Sequence, residues 1–171
     1  MTLPQAFYTT PIAHRGFHHR DAGRPENSFA AFQAAIDRGY GIELDVQLSR
    51  DGVALVFHDY ALDRLTGQTG AIRQRDADDL CQITLTGGSD TIPTLPQVLE
   101  LIAGRVPLLV EIKDQDGAMG TDIGPLEDAV AEALRDYVGD VAIMSFNPNS
   151  VARMAELLPD VPRGLVTSAY R

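Results

Sequence analysis

Glu43 and Asp45 stand two residues apart in GIELDVQLS, where a buried strand would be apolar, and Ile42, Leu44 and Val46 already supply such an apolar face. The two-residue period of a strand turns both carboxylates to one side. Carboxylates that close repel and raise one another's pKa unless a cation lies between them. The plain alternative is a solvated outer face. A second charged pair, Glu111 and Lys113, shares a strand face at the end of the apolar run LLVEIKD. Taken alone it also reads as an ion pair closed on itself. Three carboxylates at the ends of two strands point instead to a hard cation, Mg2+ or Ca2+, because all-oxygen donors suit those ions better than zinc.

His14 and Arg15 in AHRG, and His58 closing VALVFHD, add the groups that handle protons and phosphate. A strand-end histidine alone is more often structural; beside an always-charged bidentate donor it marks a phosphate site. One imidazole as general base and another as general acid, near a cation and a guanidinium, is what cleavage of a phosphate diester at neutral pH requires. His18 and His19 fall in a polar loop and read as solvent-facing.

Positioning these groups calls for strands alternating with helices. TPIAHRG, YGIELDVQLS, VALVFHD, VPLLVEIK, VAIMSF and RGLVTSA read as strands. Helical periodicity runs through ENSFAAFQAAIDRG, with Asn27 or Ser28 as N-cap, and through TLPQVLELIAG, GPLEDAVAEALRDYVG and NPNSVARMAELLPD. The alternation predicts an α/β fold with a parallel sheet of about six strands. A (β/α)8 barrel usually needs about 250 residues, so the sheet is either open or lacks its last units. Only SRDGV separates the Asp45 strand from the His58 strand. Asp51-Gly52 suits a hairpin, whereas a short crossover would bring both residues to one rim; either geometry sets His58 beside the carboxylates. Residues 60–93 read as a long polar excursion over the surface.

With 171 residues, 44% of them hydrophobic, the chain suits one domain. The formal net charge of −10 argues against sequence-independent nucleic-acid binding, which needs an excess of Lys and Arg. A single cysteine, Cys81, excludes an internal disulfide and reads as an inert thiol. No apolar run approaches a membrane span, and the first residues lack a basic segment leading into an apolar one, so a cytoplasmic protein is expected.

The ordered set AHRG, RPENS, IELDVQLSRDGVALVFHD, LDRLTGQTG and IPTLPQVLELIAGRVPLLVEIK, over residues 11–113, closely resembles the glycerophosphodiester phosphodiesterase family. The resemblance implies a TIM-type (β/α) barrel that hydrolyses glycerophosphodiesters, such as glycerophosphocholine, to glycerol 3-phosphate and an alcohol. By position, His14 and His58 match the acid/base pair, and Glu43, Asp45 and Glu111 the ligands of a divalent cation. Arg15 and Lys113 match phosphate contacts, and Glu26 and Asn27 a site-shaping motif. It further implies attack by the neighbouring glycerol hydroxyl, giving a cyclic diester that water opens. Residues 60–93 match an insertion over the barrel mouth.

The resemblance weakens toward the C-terminus, where family members carry further βα units and a late strand rich in Trp, Thr, Val and Asn. This chain has no Trp and stops at TSAYR, so the expected barrel is truncated after about six strands. A barrel without its last strands exposes two edges, which a homo-oligomer would cover. Two other readings stand beside the hydrolase: a catalytically silent, cation-binding relative, and an enzyme of a related class acting on phospholipid headgroups. The second of these lacks a visible apolar anchor or polybasic patch.

Overall fold

The computed structural model describes residues 2–167. Its sheet has six strands: β1 (Ile12–Ala13), β2 (Gly41–Leu48), β3 (Ala54–Val56), β4 (Leu108–Ile112), β5 (Val141–Ser145) and β6 (Arg163–Leu165). They run in the order β1-β2-β4-β5-β6, all parallel, while β3 pairs antiparallel with the far end of β2. Helices α1 (Ala6–Thr9), α2 (Phe29–Ile36), α3 (Ala77–Leu80), α4 (Leu95–Ile102), α5 (Pro125–Leu134) and α6 (Pro148–Leu157) complete the chain. This is the sheet-and-helix alternation of a TIM-type barrel. The end of RGLVTSA and the final YR lie outside the described residues.

The open choice between hairpin and crossover resolves as a hairpin. Leu48 pairs with Ala54 and Val46 with Val56, and Gly52 takes φ +85°, a conformation that costs glycine nothing. Asp45 therefore lies opposite Phe57, whose main-chain N–H donates to the Asp45 carbonyl at 3.0 Å. His58 follows one residue later.

Ser28 is the N-cap of α2, its hydroxyl accepting from the Ala31 N–H. Thr94 and Gln97 form a reciprocal capping box at the start of α4. These helices lay Phe32, Ala35, Val98 and Ile102 on one sheet face against Ile42, Leu44, Val110 and Ile143, all fully or nearly fully buried. Each such aliphatic side chain contributes about 2 kcal/mol by leaving water.

Residues 60–93 are more than a polar excursion. They include α3 and a 3-10 turn over Ile72–Gln74, and they bury Leu62, Ile72, Leu80, Leu85 and Ile92 against Leu55 and Phe57 in a second core. The segment is thus anchored to β3 itself, through Leu55. Cys81 sits half-buried beside this core, where burial raises the thiol pKa and keeps it unreactive.

Candidate active site

His14 and Arg15 follow β1, Glu43 and Asp45 project from within β2, His58 follows the antiparallel β3, and Glu111 and Lys113 stand at the carboxyl end of β4. β2 is buried along its whole length, and β4 pairs beside it with Asp45 opposite Glu111. One oxygen each from Glu43, Asp45 and Glu111 comes within 4.8 Å of the others, and all three residues are buried.

The group is only partly neutralised from within. The Arg15 N–H donates to Glu43 Oε2 at 2.8 Å, and Lys113 Nζ donates to Glu111 Oε1 at 2.5 Å. Lys113 Nζ also stands 2.8 Å from Asp45 Oδ1, an ion pair that leaves Asp45 bridged to Glu111 through one ammonium. Glu43 Oε1 is buried with no hydrogen-bond partner, and so is Arg15 Nε, which stands 3.4 Å from Asp45 Oδ2. Natural proteins seldom leave such atoms orphaned without a functional reason. A buried carboxylate oxygen with no hydrogen-bond partner, in a group of three carboxylates that one ammonium only partly neutralises, suits an oxygen-seeking divalent cation.

The electrostatics agree. Burial, reinforced by the charge of Asp45, pushes the Glu43 carboxyl up to about 7. Burial alone would lower Lys113, but the Asp45 and Glu111 carboxylates outweigh it and hold the ammonium charged. Burial and the adjacent Arg15 lower His14, favouring its neutral imidazole. His14 Nε2 stands 3.9 Å from Glu43 Oε2, with 67% of its side chain open to solvent.

Glu26 and Asn27 reach the site from the loop before α2. Asn27 is not the helix cap. It adopts a left-handed backbone, φ 55°, and its side chain donates to Asp45 Oδ2 at 2.9 Å. Arg15 shares the same unusual φ of 55°, and its carbonyl accepts from the Asn27 N–H at 3.0 Å. Two non-glycine residues held in this region, at a cost of order 1 kcal/mol each, are backbone strain of the kind that gathers at functional sites. Glu26 Oε1 accepts from Arg15 Nη1 at 2.8 Å.

His58 is held on its far side. Its Nδ1 lies 2.6 Å from Asp59 Oδ1. Hydrogen bonds from Arg64, then the one to His58, hold Asp59 at about 2 despite partial burial, so it is ionised and only accepts. His58 therefore carries a proton on Nδ1, and its neutral form presents the lone pair at Nε2.

A cavity of about 380 Å3 opens beside this group, lined by His58, Glu111 and Lys113 and by an apolar lip of Tyr60, Met119 and Phe146. A larger hollow of about 500 Å3, lined by Leu3, Leu109, Ala142 and Met144 among others, carries no acidic side chain in its lining. The sequence reading missed the lip, Asp59 as a partner of His58, and Arg64. Asp59 was discoverable as a carboxylate adjoining a strand-end histidine. Phe146 carried a weaker signal, an aromatic residue just past a strand.

Fold and site together define a TIM-type β/α-barrel protein whose strands bring in an acidic group, two imidazoles and two cationic side chains. The family model of the glycerophosphoryl diester phosphodiesterases matches residues 14–171, and the chain belongs to that family. A glycerophosphodiester phosphodiesterase of Caldanaerobacter subterraneus subsp. tengcongensis is 34% identical over 92% of the chain, and one of Bacillus altitudinis 32% identical over 93%. The chain spans 66% of the length of each of these relatives. Among solved structures, a phosphodiesterase of Oleispira antarctica in complex with the product sn-glycerol-3-phosphate superposes with a TM-score of 0.82. It is 30% identical, and the match covers 96% of this chain and 69% of that one. A glycerophosphodiester phosphodiesterase of Agrobacterium tumefaciens gives a TM-score of 0.75 at 29% identity, over 90% and 65%. Among the described residues no helix is long and apolar enough to cross a membrane.

Proposed function

We propose that the protein hydrolyses glycerophosphodiesters to glycerol 3-phosphate and an alcohol. The observation that carries this reading is the convergence of three buried carboxylates, Glu43, Asp45 and Glu111, with Glu43 Oε1 left without a hydrogen-bond partner. These residues would hold a divalent cation, Mg2+ or Ca2+, which when bound supplies Lewis-acid stabilisation of phosphate charge and acidifies a nearby hydroxyl. The Oleispira relative's complex with sn-glycerol-3-phosphate supports a glycerol phosphate as the group retained.

The chain's own groups divide the remaining work. Arg15 and Lys113 bind the phosphate oxygens, with Glu26 fixing the plane of the Arg15 guanidinium. His58, its proton fixed on Nδ1, offers Nε2 to accept a proton. His14, exposed at the rim, exchanges a proton with the alcohol side of the diester. The neighbouring glycerol hydroxyl attacks phosphorus, the alcohol leaves with a proton, and the cyclic diester is opened by water with the two imidazoles in reversed roles. Asn27 keeps Asp45 aimed into the cluster.

Release of glycerol 3-phosphate from glycerophosphocholine tests the reading directly. Turnover that a chelator abolishes and that His14→Ala reduces by at least about a hundredfold is expected. Turnover that persists in chelator would overturn it.

One observation favours a second reading. Lys113 already stands between Asp45 and Glu111, as a built-in counter-ion would in a catalytically silent relative. Divalent cation uptake measured by calorimetry, without hydrolysis, would select that alternative.

A further inference from the structure

Arg64 lies outside the reacting groups, on the 60–93 segment, with about half its side chain exposed. It nevertheless grips two of their partners. Nε and Nη2 donate to Asp59 at 2.7 and 2.8 Å, and Nη1 and Nη2 donate to Glu26 at 2.9 Å each. Each carboxylate passes the contact on, Asp59 to His58 Nδ1 at 2.6 Å and Glu26 to Arg15 Nη1 at 2.8 Å. An unbroken chain of hydrogen bonds therefore joins an imidazole delivered by β3 to a guanidinium delivered by β1.

We propose that Arg64 is a positioning residue which, by holding Asp59 and Glu26 at once, fixes the tautomer of His58 and its separation from Arg15. The kinetic part of this proposal rests on the phosphodiesterase reading; the structural part does not. The reasoning is geometric. A guanidinium presents two donor edges in one rigid plane, and here both are occupied by carboxylates in side-on pairs. Each carboxylate keeps a lone pair for the group it orients. A lysine offers the same charge as a point and cannot hold both planes. Exposed ion pairs add little to stability as a rule, so four aligned bonds on one half-exposed side chain call for another role. The carboxylates bear this out: burial opposes ionisation of Glu26, yet Arg64 and then Arg15 hold it at about 2.

Nitrogen-15 NMR of the imidazoles in Arg64→Lys tests the proposal. Wild-type protein is expected to show His58 protonated on Nδ1 alone when neutral, and the variant a mixture of the two tautomers. A merely structural arginine would leave the tautomer alone, and an unchanged His58 signal overturns the proposal. With glycerophosphocholine, kcat of the variant is expected to fall by about 10- to 100-fold, the scale of a misplaced catalytic group. If wild-type protein fails to hydrolyse the substrate, the proposed function falls, while the tautomer still reports on the linkage. Should the variant not fold, the wild-type Arg64 Nε–H resonance decides. Slow exchange and a shift on His58 protonation support the linkage. Exchange as fast as that of the exposed Arg135 overturns it.

Discussion

Asn27 and Asp45 exchange hydrogen bonds across 18 residues of chain: the amide donates to Oδ2 at 2.9 Å, and the Asp45 N–H reaches back to Asn27 Oδ1 at 3.4 Å. The pair is buried, and it aims one Asp45 oxygen away from the solvent side of the sheet. Asn27→Ala is expected to destabilise the fold by about 2 kcal/mol, through the lost bond and through an alanine forced to φ 55°. Asn27→Gly removes the strain but not the loss of orientation. Its divalent cation affinity should still fall about 10- to 100-fold, read by calorimetry, as for other partners that orient ligands.

Glu43 gives a pH-dependent signature. Burial raises its carboxyl to about 7, from an ordinary 4.5, so the folded state holds a proton that the unfolded chain has already released. Stability is full below 4.5 and declines as pH rises through 7, by about 3 kcal/mol in all. In chelator, the melting temperature of wild-type protein should drop between pH 5 and 8. Glu43→Gln should flatten that drop and abolish the stabilisation added by a divalent cation.

Acid acts in the opposite sense on Asp59 and Glu26. Both are held at about 2, below their ordinary values, so their contribution is present above about pH 4 and lost as pH falls toward 2. Melts from pH 5 to 2 should show a steeper loss for wild-type protein than for the double variant Glu26→Gln, Asp59→Asn.

The apolar lip of Tyr60, Met119 and Phe146 is suited to contact the leaving alcohol rather than the phosphate. Phe146→Ala should raise KM for glycerophosphocholine about tenfold with little change in kcat, the magnitude expected for one lost apolar contact. Inhibition by glycerol 3-phosphate should be unaffected. A fall in kcat with KM unchanged would place Phe146 elsewhere in the reaction.

The parallel strands and main helices were legible because their apolar residues recur at strand or helix period, and the acidic group because charge in an apolar run has few explanations. Asn27 could be read as a cap or as a site residue; only the tertiary path of the loop before α2 separates it from Ser28. Residues 60–93 misled for a different reason. Leu62, Ile72, Leu80 and Leu85 follow no regular spacing, because they pack from turns and bridges rather than from one repeating element. Arg64 was invisible because its two partners come from segments that meet only in the folded chain.

β2 is hydrogen-bonded to β1, β3 and β4, and those three strands lead respectively into His14 and Arg15, into His58, and toward Lys113. A single central rod therefore serves as the common datum for acid, base, anion-gripping and cation-gripping atoms. Among the described residues β6 pairs with β5 and with none of those strands, so breathing of that outermost strand and preservation of reactive geometry can coexist in one molecule.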